Sequence, residues 1–208
     1  MKTRSFVTLV CSVAINGFNT FNQPALAEQL PRSWYTAEGQ IVDSSPDAAA
    51  TLIAIQVGEK FGYVDAKGRM AIAARFDDVY EFFDGLAAVQ IDNKWGYIDE
   101  SGRIVVAMQF DDAVSFDSGL AAVQVDEKWG FINQRGVIVI TPSYDEAETF
   151  SQGLAKVRVG QKWGFIDKQG KMKIEPMFDE VASFERGTAW IRIGKRVGYI
   201  NKVGKFVQ

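Results

Sequence analysis

Asp77, Asp111, Asp145 and Asp179 recur at 34-residue intervals, and each is followed directly by a second acid: Asp78, Asp112, Glu146 and Glu180. Paired carboxylates can hold Ca²⁺ through oxygen ligands, or divide acid and base roles across a glycosidic bond. The 208-residue chain has no His and one Cys, Cys11. That composition excludes His-activated nucleophiles, multi-thiolate metal sites and disulfides within the chain. No calcium-loop motif accompanies the acidic pairs, and an enzyme has little use for the same pair in every repeat. The preferred reading is structural: each first Asp caps one short helical turn or a tight loop. A second column, Asp65, Asp99 and Asp167, exchanges with Asn133 and Asn201. Such exchange suits a turn residue that bonds its own backbone and suits a catalytic carboxylate poorly.

Three Trp-Gly pairs, Trp95-Gly96, Trp129-Gly130 and Trp163-Gly164, share the same spacing. A ladder of indoles would suit a sugar or another flat ligand. The alternative is packing, with Trp as filler and Gly as clearance for a close neighbour. Packing is preferred, because the outer copies, Phe61 and Val197, are smaller apolar residues. Lys60, Lys94, Lys128, Lys162 and Arg196 form a cationic column. It reads as strand-end charge beside Glu59, Asp92 or Asp126 rather than as a stripe for an anionic partner. More informative are the outward positions of the first strand, where the units disagree. Ala88 with Gln90 and Ala122 with Gln124 give way to Lys156 with Arg158, then to Trp190 with Arg192. Lys156, Arg158, Trp190 and Arg192 are therefore the candidate contact patch for a protein or an anionic glycan. The competing reading has Trp190 cover the open end of the array.

These columns need a repeated scaffold. Gly columns at 62, 96, 130, 164 and 198, at 68, 102, 136, 170 and 204, and at 85, 119, 153 and 187 hold 14 of the 19 Gly. A 34-residue period is also that of tetratricopeptide helix pairs. Three Gly per unit and β-branched runs argue against helices. In "GLAAVQIDNKWGYIDESGRIVVAMQF" the pattern is strand, turn, strand, turn, strand. Ala87, Val89 and Ile91 share one face of the first strand. Asp92-Asn93 suits a type I′ hairpin and Gly first in the loop suits type II′, whereas Asp126-Glu127 suits neither.

The "KWGYID..G", "FDD" and "GLAAV" elements at fixed offsets resemble the WG-repeat, or KWG-repeat, family of bacterial proteins. The resemblance covers residues 51–208 and implies an all-β fold with no single shared activity. The expected fold is all-β: five three-stranded antiparallel meander units, near 51–84, 85–118, 119–152, 153–186 and 187–208. An open twisted array is favoured and a closed five-unit ring is the alternative, since ring blades usually have four strands.

Residues 1–27 read as a secretory signal peptide. Lys2 and Arg4 precede the apolar run Phe6–Ile15, and Ala25–Ala27 is a small-x-small cleavage site. A run of about 10 residues is short of the about 20 that span a bilayer, so no stable membrane span is expected after cleavage. Cys11 belongs to the apolar run, because Thr8-Leu9-Val10 lacks the small residue of a lipoprotein site. Residues 28–50, polar and outside the period, read as a linker or arm. Cleavage would remove two of the 23 cations, leaving 21 against 26 acids and a net charge of −5. That balance argues against nucleic-acid binding. The expectation is an exported, periplasmic or extracellular, non-catalytic binding or scaffold protein without a cofactor, contacting a protein or glycan of the cell envelope. The alternative is a cell-wall or glycan hydrolase using one of the carboxylate pairs.

Overall fold

The computed structural model describes residues 52–207, and no helix occurs among them. The expected signal peptide and the whole of the expected linker lie outside the described residues. The described chain falls into two compact units that divide between Glu81 and Phe82.

The first unit contains β1 (Ile53–Val57), β2 (Lys60–Val64), β3 (Met70–Phe76) and β4 (Asp78–Val79). β1, β2 and β3 form an antiparallel meander in which Ile55 lies opposite Gly62. Tyr63 is fully buried and its hydroxyl donates to the Tyr80 carbonyl at 2.7 Å. Burial pushes the Tyr63 phenol well above its ordinary value, so it stays a neutral donor.

The second unit repeats that meander four times. The first two copies are β5 (Leu86–Ile91), β6 (Lys94–Asp99) and β7 (Ile104–Phe110), then β8 (Asp112–Ala113), β9 (Leu120–Val125), β10 (Lys128–Asn133) and β11 (Ile138–Tyr144). The next are β12 (Glu146–Ser151), β13 (Leu154–Val159), β14 (Lys162–Ile166) and β15 (Met172–Phe178), then β16 (Glu180–Val181), β17 (Thr188–Ile193), β18 (Arg196–Asn201) and β19 (Phe206–Val207). With the first unit, five antiparallel meanders carry the 34-residue period, as expected.

The connectors differ from expectation. They form no helical turn; β8, β12 and β16 add a strand to the outer edge of β9, β13 and β17. Alternation explains this. Asp112 lies opposite Gln124 toward solvent, while Ala113 lies opposite Val123 and is buried. The two-residue loop Asp92-Asn93 has φ of 50° and 61°, as type I′ requires. Asp126-Glu127 adopts the same pair, φ 49° and 63°, although neither residue favours it. The sheet on either side holds that loop in shape despite its composition.

The Trp-Gly pair marks a bulge. Trp95 lies opposite Phe110 but Tyr97 lies opposite Val106, so β7 carries extra residues across from Gly96. A Cβ on Gly96 would sit 2.5 Å from the Val106 carbonyl oxygen; at Gly130 the Ile140 carbonyl oxygen lies equally close. Gly is clearance, as expected, but the close neighbour is the third strand's backbone.

Within the second unit the core lies between successive sheets. Each sheet's second strand presents Tyr97, Phe131 or Phe165, and the following connector lays Phe116, Phe150 or Phe184 on it, with ring centroids 4.7, 4.9 and 4.8 Å apart. All six rings are buried. Edge and tilted ring contacts of this kind contribute about 0.5–1.5 kcal/mol beyond area burial.

Candidate functional site

The repeated carboxylates are clamps. Lys94 Nζ donates to Asp111 Oδ1 at 2.6 Å, while the Asp126 amide donates to Oδ2 at 2.9 Å. Asp145 takes Lys128 Nζ and the Gly160 amide, each at 2.6 Å. Asp179 takes Lys162 Nζ and the Gly194 amide. Each carboxylate therefore ties the cation of its own meander to the hairpin loop of the next. The lysines hold Asp111, Asp145 and Asp179 below the usual carboxylate range, aided by those loop amides. Asp77 receives Lys60 Nζ on Oδ1. Of the two expected caps, the helical turn is absent: Asp111, Asp145 and Asp179 each sit at a bend between two strands, and each carboxylate clamps the hairpin loop of the next meander. The partners expected for the Lys column, Glu59, Asp92 and Asp126, are likewise replaced by Asp77, Asp111, Asp145 and Asp179.

The Asp/Asn column behaves as its exchange pattern implies. Asp99 Oδ1 accepts the amides of Ser101 and Arg103, each at 3.0 Å, and Asn133 Oδ1 accepts those of Arg135 and Val137 at 3.0 and 3.1 Å. One side-chain oxygen closes the turn, so Asn serves as well as Asp. The Ser101 hydroxyl, with the Arg103 bonds, lowers Asp99 to about 2. Among the described residues no cluster of three acidic or other ligating side chains is arranged for a metal ion.

Among the Trp-Gly pairs, Trp95 and Trp129 are buried and Trp163 is half-buried. The indole of Trp163 receives Lys156, whose Nζ lies 5.4 Å from the ring centroid.

Each cation of the candidate patch has an intramolecular partner. Lys156 Nζ pairs with Glu148 at 2.9 Å and donates to the Val181 carbonyl at 3.4 Å. Arg158 lies opposite Glu146 and bonds it at 2.7 Å; Arg192 lies opposite Glu180 and bonds it in turn. The preceding unit has Asp112 opposite Gln124 instead. Connector Glu thus goes with strand Arg, and connector Asp with strand Gln. Trp190 lies directly opposite Tyr199, on the same face of the last sheet as Arg192 and Val197. It is half-buried. Lys156 reaches this sheet through Val181, whereas Arg158 stays on the sheet before it.

The face around Trp190 is larger than the sequence reading recognised. Tyr97, Phe131 and Phe165 are buried, yet their counterpart Tyr199 is 53% exposed and the neighbouring Val197 is 61% exposed. The opposite face of that sheet, with Ala189, Ile191 and Ile200, is buried against Phe165, Ile174 and Phe184. A signal for the exposed face was present: residues 187–208 contain Arg192, Lys195, Arg196, Lys202 and Lys205 and no acid.

The WG containing repeat family matches residues 61–95, 95–129, 129–163 and 163–196 in tandem, well over half the chain. The chain belongs to the WG containing repeat family. Each match of this WG repeat protein starts at the aromatic column, Phe61, Trp95, Trp129 or Trp163. Among curated proteins none matches the chain. A crystal structure of a eukaryotic initiation factor is similar at 12% identity and a TM-score of 0.52, over 73% of this chain and 48% of that one. PorZ, an essential surface component of the type-IX secretion system of Porphyromonas gingivalis, aligns at 13% identity and a TM-score of 0.44, over 76% of this chain and 25% of that one. The WG repeat chain thus spans about half of the initiation factor and a quarter of PorZ. The first likeness shows a shared fold alone. Among the described residues no helix is long and apolar enough to cross a membrane.

Proposed function

We propose that this WG repeat chain is an exported, non-catalytic binding or scaffold protein that contacts a protein or glycan of the cell envelope through its β-repeat surface. What supports the non-catalytic reading is the sameness of the acidic pairs. Asp111, Asp145 and Asp179 each spend both carboxylate oxygens on a Lys and a loop amide. No copy stands apart as a proton donor. A general acid needs a raised pKa, and these three are lowered. Export rests on the N-terminal sequence, where a basic start, an apolar run and Ala25–Ala27 follow in order.

The contact patch is centred on Trp190, with Arg192, Lys156 and Arg158 as its charged surround. Since the cations are already paired, the aromatic supplies contact area and the charges supply orientation. The test has two arms. Cells producing the full-length tagged chain are fractionated, and the purified protein is incubated with peptidoglycan and envelope glycans. Envelope location with no glycan cleavage is expected. Cleavage abolished by Asp→Asn at one unit would reverse the reading in favour of the hydrolase, and retention inside the cytoplasm would remove the export step. Trp190→Ala is expected to weaken envelope capture while leaving the unfolding midpoint nearly unchanged.

A further inference from the structure

We propose that the exposed face of the last sheet, built on Tyr199, Val197 and Trp190 with Arg196 at its edge, docks an extended partner segment of pattern Asp-x-x-x-x-Phe. This deepens the binding reading above and rests on it. The pattern comes from the chain's own internal interfaces. Lys94 bonds Asp111, the Tyr97 hydroxyl donates to the Val114 carbonyl at 2.8 Å, and the Tyr97 ring takes Phe116. Relative to Asp111 those partners stand at positions zero, three and five. The same register recurs in Lys128–Asp145 with Phe131–Phe150, and in Lys162–Asp179 with Phe165–Phe184.

The last sheet reproduces the receiving half. Arg196 stands where Lys94 stands, paired with Ile193 as Lys94 is with Ile91. Tyr199 stands where Tyr97 stands and carries the same hydroxyl. The face therefore presents a cation for an Asp, a hydroxyl for a carbonyl three residues later, and a ring for a Phe five residues later. Charge agrees. Residues 187–208 hold five cations and no acid, and Lys195, Arg196, Lys202 and Lys205 are exposed. An acidic segment is attracted there and a basic one repelled. A second copy of this chain is a weaker occupant, because Asp77, Asp111, Asp145 and Asp179 are already bonded to lysines.

The probe is a fluorescent peptide with the sequence of residues 110–118, FDDAVSFDS, titrated into the full chain by anisotropy. Saturable binding that weakens with salt is expected. Replacing the peptide's second Phe by Ala, or using Tyr199→Ser protein, is expected to weaken binding about tenfold or more, the scale of a lost aromatic anchor. Arg196→Asp protein is expected to lose the parent peptide and regain a peptide whose first Asp is changed to Arg. Absence of binding, or binding indifferent to both Tyr199→Ser and Arg196→Asp, overturns the proposal. Self-association abolished by Tyr199→Ser, with no peptide binding, would give the face to a second copy. If the peptide fails while Trp190→Ala still weakens envelope capture, the docking inference falls and the binding function stands.

Discussion

Within the second unit, the β8–β11 and β12–β15 sheets and the β16–β19 sheet are built from nearly the same residues and end up in different states. In the first two sheets the central ring, Phe131 or Phe165, is sealed by the Phe of the following connector, and the strand-end Lys is clamped by its Asp. In the last, Tyr199 is open and its opposite face alone is packed. The lesson is that these sheets are cores only in pairs. One sheet supplies a ring and a cation, and the next connector supplies a ring and a carboxylate.

The largest expected effect comes from removing a sealing ring. Phe150→Ala deletes a fully buried aromatic from an internal interface, and a loss of about 3–5 kcal/mol is expected. Tyr199→Ala removes a half-exposed ring and is expected to cost under about 1 kcal/mol. Urea unfolding midpoints check both. Equal losses would mean that the last face is covered in solution.

Next comes the bulge. Gly130→Ala places a Cβ 2.5 Å from the Ile140 carbonyl oxygen and 2.6 Å from the Pro142 nitrogen, both backbone. Neither can turn aside, so a loss of about 1–3 kcal/mol is expected. Gly198→Ala meets only the ring edge of Phe206 at 3.2 Å, and Phe206 is an exposed side chain that can swing away. A near-neutral midpoint is expected there. If both substitutions cost the same, backbone crowding is not what the Gly of the Trp-Gly pair relieves.

Much of this architecture was legible in the sequence, and the parts that were not have a common cause. The Asp/Asn turn column and the strand–turn–strand pattern are local, so residue types two to four positions apart reveal them; the clearance role of Gly was legible beside the Trp, but its close neighbour, ten residues on, was not. The connector strands were missed because β8 and β16 are two residues long and owe their state to a partner edge. The partners of the Lys column were missed for the same reason: Lys94 and Asp111 lie 17 residues apart and meet only once the meander folds. The ion pairs of Arg158 and Arg192 were not legible because their partners, Glu146 and Glu180, read along the chain as acidic pairs with Asp145 and Asp179. A cross-strand neighbour cannot be found before the register is known.

The smallest effect separates the two kinds of acidic column by pH. Asp145 and Asp99 both have folded pKa values below their unfolded values, about 3.9 for Asp. A depressed group adds stability above its unfolded pKa, and that stability is lost as pH falls through the folded pKa. Acid should therefore destabilise the protein progressively from about pH 5 downward, and for Asp99 the loss should continue to about 2. Asp99→Asn keeps the one oxygen that the Ser101 and Arg103 amides use, so it should lower the neutral-pH midpoint slightly and flatten the acid response. Asp145→Asn cannot do the same. Its amide nitrogen would face either Lys128 or the Gly160 N–H, and both are donors. The Asp145 substitution should therefore lower the neutral-pH midpoint more than the Asp99 one, by an amount that shrinks in acid as wild-type Asp145 itself becomes protonated. If the two variants lose equally at neutral pH, the clamp contributes no more than the turn. The interface between sheets would then be held by its rings alone.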